Sequence, residues 1–341
     1  MPVWEEELAM RHAPVLLQKV HNRYKRADFI ARVNFAYRWP NIHRNWDAVW
    51  ETKAGRYKHK LTAHGYYSVV VTHTHYYLVY AFYHPQDWTA FWGSPARSSP
   101  HRINQHVHDM EGCLAVVPRR NDPRDERVGA LVTISHHHFY SFAGREINGR
   151  MLPDNHRIVG ASEDLDGPMQ VTERFAGPGE PPTRVKLYSE SGGHAIKGAK
   201  KDWGVDKRII RYRPSLRRAQ QPDEGGFVME DDAYFQTARY KLVSMFVPGG
   251  LWDQHRNPRV FRTNDKGQEA FVDMGEAGQL VAGSANPPWG WDDRDDRHPP
   301  GTFARDPARL VADYFAGLGE FSGEYTHNRF LGIVAASAAP S

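Results

Sequence analysis

The chain has 341 residues, of which 40% are hydrophobic and 12% aromatic, which excludes a disordered polymer; a mean hydropathy of -0.66 and the lack of a long apolar run exclude a membrane-spanning helix. A net charge of only +4 argues against a nucleic-acid-binding domain, and the single cysteine, Cys113, excludes an intrachain disulfide and cysteine-rich metal sites. The acidic start Met1-Pro2-Val3-Trp4-Glu5-Glu6-Glu7 lacks the basic and apolar regions of a Sec signal, so a reducing, cytoplasmic setting or non-classical export is expected.

In chain order, residues 5–11 read as one or two helical turns, and Ala13-Pro14-Val15-Leu16-Leu17 as a short strand, because Pro14 disfavours helix at the residue before it. From Ser68 to Tyr83 almost every residue is β-branched, aromatic or histidine, and both faces of Tyr76–Tyr83 are apolar, which predicts a central strand. That strand is expected to stop at His84-Pro85-Gln86-Asp87, where proline removes a ladder donor. A loop with Trp88, Phe91 and Trp92 follows, and Asp109–Val117 reads as the next strand.

Val128–Phe142, with the triple His136-His137-His138, and Thr183–Ser189, which runs into Gly192-Gly193-His194, are further strand candidates. Composition marks two surface insertions, at about 163–182 and 205–232, the second holding the basic run Lys207, Arg208, Arg211, Arg213, Arg217 and Arg218. The run reads as a solvated face. Near the end, Asp306-Pro307 starts a short amphipathic helix with Leu310, Val311, Tyr314 and Phe315 on one face. The working expectation is one mostly β domain over 1–341, with its core at about 13–335.

The chemistry concentrates in His106-Val107-His108-Asp109-Met110-Glu111. Strand alternation puts Asp109 and Glu111 on one face and both histidines on the other. The expected resolution is a strand that begins near Asp109, with His106 and His108 in the preceding loop, where one of them curls back toward the carboxylates. Antiparallel pairing with the preceding strand brings Asp87 to the same edge as a third carboxylate. Such a donor set favours Mg²⁺, Ca²⁺ or Mn²⁺, with Zn²⁺ an option if more histidines take part.

The run Phe82-Tyr83-His84-Pro85-Gln86-Asp87, followed after a loop by Gln105-His106-Val107-His108-Asp109-Met110-Glu111, resembles the signature region of the necrosis-inducing NPP1-like proteins. Their heptapeptide reads Gly-His-Arg-His-Asp-Trp-Glu, so this chain departs at Gln105, Val107 and Met110. Ala13-Pro14-Val15, Gly193-His194 and Asn286-Pro287-Pro288-Trp289 are similar to segments of the broader group related to vacuolar sorting protein 62. The resemblance implies a β-sandwich with peripheral short helices and long loop insertions. It also implies a divalent cation held by Asp87, His106, Asp109 and Glu111. The necrosis-inducing members are secreted, disulfide-bonded cytolysins that recognise glycosylated sphingolipid head groups.

Two functions from different classes follow. One is recognition of a small molecule, glycan or lipid head group at the metal, with Trp88, Trp92 and His194 touching the ligand and peripheral membrane contact allowed. The other is a metal-dependent hydrolase or lyase, with His108 or His194 as acid or base beside metal-activated water. His73 and His75 read as core histidines on the face shared with Val71 and Tyr77. Asp292-Asp293-Arg294-Asp295-Asp296 is dense enough for a second calcium site but lacks the glycine and closing glutamate of an EF-hand loop.

Overall fold

The computed structural model describes residues 2–21, 25–33, 35, 60–88, 105–144, 146–147, 150–151, 165–172, 183–199, 208–222, 227–230, 233–274, 279–283, 285–317 and 319–336. The chain enters through helix α1 (Val3–His12), followed by strands β1 (Val15–Lys19), β2 (His64–Thr72), β3 (His75–Trp88), β4 (Gln105–Pro118), β5 (Ala130–Ser135) and β6 (His138–Ala143). The main sheet has 13 strands, in which β2 to β6 lie side by side in chain order. On the other side of β2 the order is Ala233–Ser244, Ile209–Ser215, β1, Lys186–Ser189 and Ile196–Gly198. The last of these folds back over the far end of the sheet: a Cβ on Gly198 would lie 2.8 Å from the Phe142 ring of β6. The sheet is thereby nearly closed on itself, a mixed, β-sandwich-like fold with few short helices.

Both faces of the middle strands are covered, which is why β2 reads as nine consecutive buried residues rather than an alternation. α1 packs against this layer, where the Tyr80 hydroxyl donates to the Ala9 carbonyl at 2.8 Å. Near the C-terminus the helix Pro307–Tyr314 buries Leu310, Val311 and Tyr314, as its spacing predicts. Among the described residues no helix is long and apolar enough to cross a membrane.

Several expectations are corrected. The apolar stretch 68–83 is a hairpin, with β2 and β3 turning at His73 and Thr74, so His73 is exposed while His75 is buried. Val128–Phe142 is likewise a hairpin, turning at His136, whose φ of 60° lies in the left-handed region. Histidine suits a strand, yet it also tolerates the left-handed conformation that a turn requires, as His136 shows.

β3 does not stop at His84 but runs on to Trp88, and β4 begins at Gln105 rather than Asp109. Proline is tolerated because Pro85 falls between the pairs His84/Asp109 and Gln86/Val107, opposite His108, which has φ 64°. The segment 205–232 is not wholly a surface insertion: Ile209–Ser215 pairs with both β1 and Ala233–Ser244 inside the sheet, and Arg211 is only 1% exposed. The basic run is therefore not one solvated face, although Arg217 and Arg218 are exposed. In the other proposed insertion, Gly167–Pro168 pairs with β6, and residues 163, 164 and 173–182 lie outside the described set.

Candidate metal centre

At its open end the β3–β4 ladder changes character. Asp87 stands directly opposite His106, and His84 opposite Asp109. His106 Nδ1 donates to the His108 carbonyl at 2.7 Å, which leaves Nε2 aimed at Asp87 Oδ2, 3.1 Å away. A backbone carbonyl on one ring nitrogen is the usual device for presenting the other to a metal, and about 3 Å is the spacing of two adjacent ligands on one ion. Burial opposes a charge on His106, but the Asp87 hydrogen bond and charge, with help from Asp109, raise it to about 9.

Asp109 lies next to the kink at His108 and meets a second imidazole. His194 Nδ1 donates to Asp109 Oδ2 at 2.7 Å, and His194 Nε2 donates to Asp28 Oδ1 at 3.1 Å. Burial again disfavours the imidazolium, yet the two carboxylates outweigh it and raise His194 to about 10. Asp28 is held in turn by the Gly192 N–H at 2.8 Å, the His21 N–H at 2.6 Å and the Ser191 hydroxyl at 3.0 Å. His84 stacks on His194 with ring centroids 3.8 Å apart and planes 1° from parallel. Burial, and then the His194 charge, drive His84 well below the usual histidine range.

Glu111 completes the group. Its Oε1 accepts the His136 N–H at 2.9 Å, while its Oε2 is buried with no hydrogen-bond partner among the described residues. Burial and then the Asp109 charge raise Glu111 well above the usual carboxylate range. Asp87, Asp109 and Glu111 are 4%, 5% and 3% exposed. Three carboxylates and one imidazole thus share a buried neighbourhood, with one carboxylate oxygen unsatisfied. The chemistry of this donor set suits a divalent cation, which would fill the missing contact and offset the neighbouring Asp109 charge.

Of the four side chains only Asp87 and His106 pair with each other; Asp109 is taken by His194, and Glu111 accepts the His136 N–H. Among the described residues the one place where three metal-type donor atoms lie within 4.8 Å of one another is His138, Asp293 and Asp295. There His138 Nδ1 is 3.2 Å from Asp295 Oδ1 and 3.8 Å from Asp293 Oδ1. Burial and the neighbouring Asp295 push Asp293 up to about 7. The Asp292–Asp296 run therefore recruits an imidazole from β6, a partner its sequence spacing does not reveal.

Other expected roles are redistributed. His194 is 0% exposed; Gly192-Gly193 and its own φ of 52° accompany a ring turned inward onto Asp109. His108 stacks on Phe271 at 5.0 Å and meets the Tyr83 hydroxyl at 2.9 Å, which places it among aromatic rings. The Trp88 side chain and all of Trp92 lie outside the described residues. Asp28 and His84 escaped sequence reasoning. The usable hint for Asp28 is an acid set in the apolar run Ala27, Phe29, Ile30.

No protein-family model matches the chain, and no curated protein matches it. Among solved structures it is similar to the non-toxic HaNLP3 protein, with 14% identity over 70% of this chain and 77% of that one and a TM-score of 0.31. It is also similar to necrosis and ethylene inducing protein 2 from the causal agent of cocoa's witches' broom disease, with 18% identity over 55% and 76% of the two chains and a TM-score of 0.25. A third is NLPPya in complex with glucosamine, with 15% identity over 70% and 79% and a TM-score of 0.25. Necrosis-inducing proteins, which the hexapeptide region resembles, are thus among the solved structures similar to this chain.

Proposed function

We propose that this chain binds one divalent cation through Asp87, His106, Asp109 and Glu111 and uses it to recognise a polar head group or glycan. The observation that carries this reading is the buried Glu111 Oε2, a carboxylate oxygen without a hydrogen-bond partner among the described residues and beside two further carboxylates. Burying like charges together is costly unless something of opposite sign joins them. A hard cation is the economical solution, and its remaining positions take hydroxyl or anionic oxygens, the groups that sugars and head groups present.

Binding is preferred over hydrolysis because the two imidazoles that a hydrolase would employ are engaged. His194 is clamped by Asp109 and Asp28, and His108 is packed among Tyr83 and Phe271. When bound, the cation supplies Lewis-acid contact to ligand oxygens. His106 and Asp87 would hold it from facing strands, and the His194 hydrogen bond orients Asp109.

The test is metal analysis of the purified protein alongside Asp87→Ala, Asp109→Ala and Asp293→Asn. Stoichiometric metal in wild type and Asp293→Asn, lost in the other two, supports the assignment. Metal kept by both Asp87→Ala and Asp109→Ala but lost in Asp293→Asn would move the ion to the His138 cluster and sink it. Binding to immobilised amino sugars and glycosphingolipids is then measured with and without chelator. Chelator-sensitive binding without product release supports recognition, and turnover abolished in Asp109→Ala would replace it with hydrolysis.

A further inference from the structure

We infer that the cleft where α1 ends, at the opposite end of the β3–β4 ladder from the metal centre, is a binding site for a single oxyanion, a carboxylate or phosphate group. The cleft is small and partly open to solvent, and it is lined by His12, Glu126, Arg127, Val128, Arg184 and Val185 among others. It does not depend on the proposed metal function.

His12 is buried, and its Nε2 has no hydrogen-bond partner among the described residues. The polar groups around it are mostly cationic donors. Arg184 Nη1 donates to the carbonyls of Met10, Arg11 and Ala13 at 2.7, 3.3 and 2.9 Å, so this guanidinium is fixed at the α1 C-terminus. Arg127 Nη1 donates to the Glu126 carbonyl at 2.7 Å, which holds a second guanidinium at the rim. The carboxylate of Glu126, the one acid in the lining, is already paired with Arg11 at 3.2 Å.

Among the described residues His12 Nε2 has no acceptor. In the tautomer with its proton on Nε2 the imidazole donates into the cleft, and the surplus of guanidinium charge there selects an anionic oxygen. Burial first, and then the charges of Arg11, Arg184 and Arg127, hold His12 down to about 3, so the ring is a neutral donor across the physiological range. Val128 and Val185 beside the charged groups suit a short apolar stem carrying the oxyanion.

The experiment is an NMR titration of the His12 ring with inorganic phosphate and, separately, with acetate, at constant ionic strength in chloride near about pH 7, where free histidine is mostly neutral. A saturable shift is expected, stronger with phosphate if the natural group is a phosphate and with acetate if it is a carboxylate. Arg127→Gln, an exposed change that leaves α1 intact, should weaken binding roughly tenfold or more. His12→Gln should do the same, with melting curves confirming that each variant is folded. No saturable shift with either anion would mean that the cleft holds water alone. Unchanged affinity in Arg127→Gln would mean that the anion binds elsewhere. Either result overturns the assignment.

Discussion

The two halves of the β3–β4 ladder share one antiparallel register and are equally buried, yet they are built on opposite principles. In the inner half, Tyr76–Ala81 face Gly112–Val117, and the residues pack without any charge. In the outer half, His84–Asp87 face His106–Asp109, and each ionisable side chain whose contacts are described needs a partner. Burial of a residue such as Leu114 contributes about 1.5–3 kcal/mol on its own. A buried ion pair contributes little or nothing relative to apolar residues of the same shape, because desolvation offsets the attraction. The inner half therefore explains why the protein folds. The outer half is costly to retain, which points to binding.

That contrast can be broken in four places. The largest effect is expected from Asp109→Ala, which leaves the fully buried His194 with Asp28 alone and should cost about 3–5 kcal/mol in chemical denaturation. A loss under about 1 kcal/mol would mean that the outer half is not electrostatically coupled as described. Leu114→Ala should cost about 2–5 kcal/mol, and by the same amount with or without chelator, since it acts through packing. A chelator-dependent loss would tie the inner half to the metal and erase the distinction.

Gly112→Ala tests the junction between the halves. Its Cβ would meet the Tyr80 carbonyl oxygen and the Trp291 ring at 2.1 and 2.6 Å, and Trp291 is anchored by its Nε1–H to the carbonyls of Met110 and Asn286. Thermal melting should show a loss of about 1–3 kcal/mol, and an unchanged melting temperature would show that the backbone there yields. The last test concerns His12, beyond the inner end of the ladder, where the effect shows only as the pH falls. Its folded value of about 3 lies below the usual 6.5, so the unfolded chain takes up the proton first as pH falls. Its contribution is present above about pH 6.5 and is lost at up to roughly 1.4 kcal/mol per pH unit on the way down to about 3. His12→Gln should flatten that acid limb in pH-dependent denaturation, and an identical slope in the variant would rule the residue out as its source.

Much of this was legible beforehand. The Tyr76–Tyr83 run identifies a central strand because apolar residues on both faces require cover on both, and Asp306-Pro307 marks a helix start that the fold uses. The hexapeptide and Asp87 were placed together by antiparallel logic alone, and the register agrees. The boundaries failed where histidine and proline carry no single preference. His73-Thr74 and His136-His137 turn the chain although their neighbours favour strand, and Pro85 sits inside a ladder between the pairs His84/Asp109 and Gln86/Val107.

The sequence by itself determined the β class, the covered central strands and the pairing of Asp87 with the His106–Glu111 region, because alternation and strand order are local and carry over directly to neighbouring strands. Tertiary structure alone decided that Asp109 and Asp28 close around His194, that His138 joins Asp293 and Asp295, and that Arg184 reaches back to the end of α1. These partners lie 85, 166, 157 and 171 residues apart along the chain. No spacing rule spans such distances. Only the folding of the sheet over itself fixes which buried charge finds which partner.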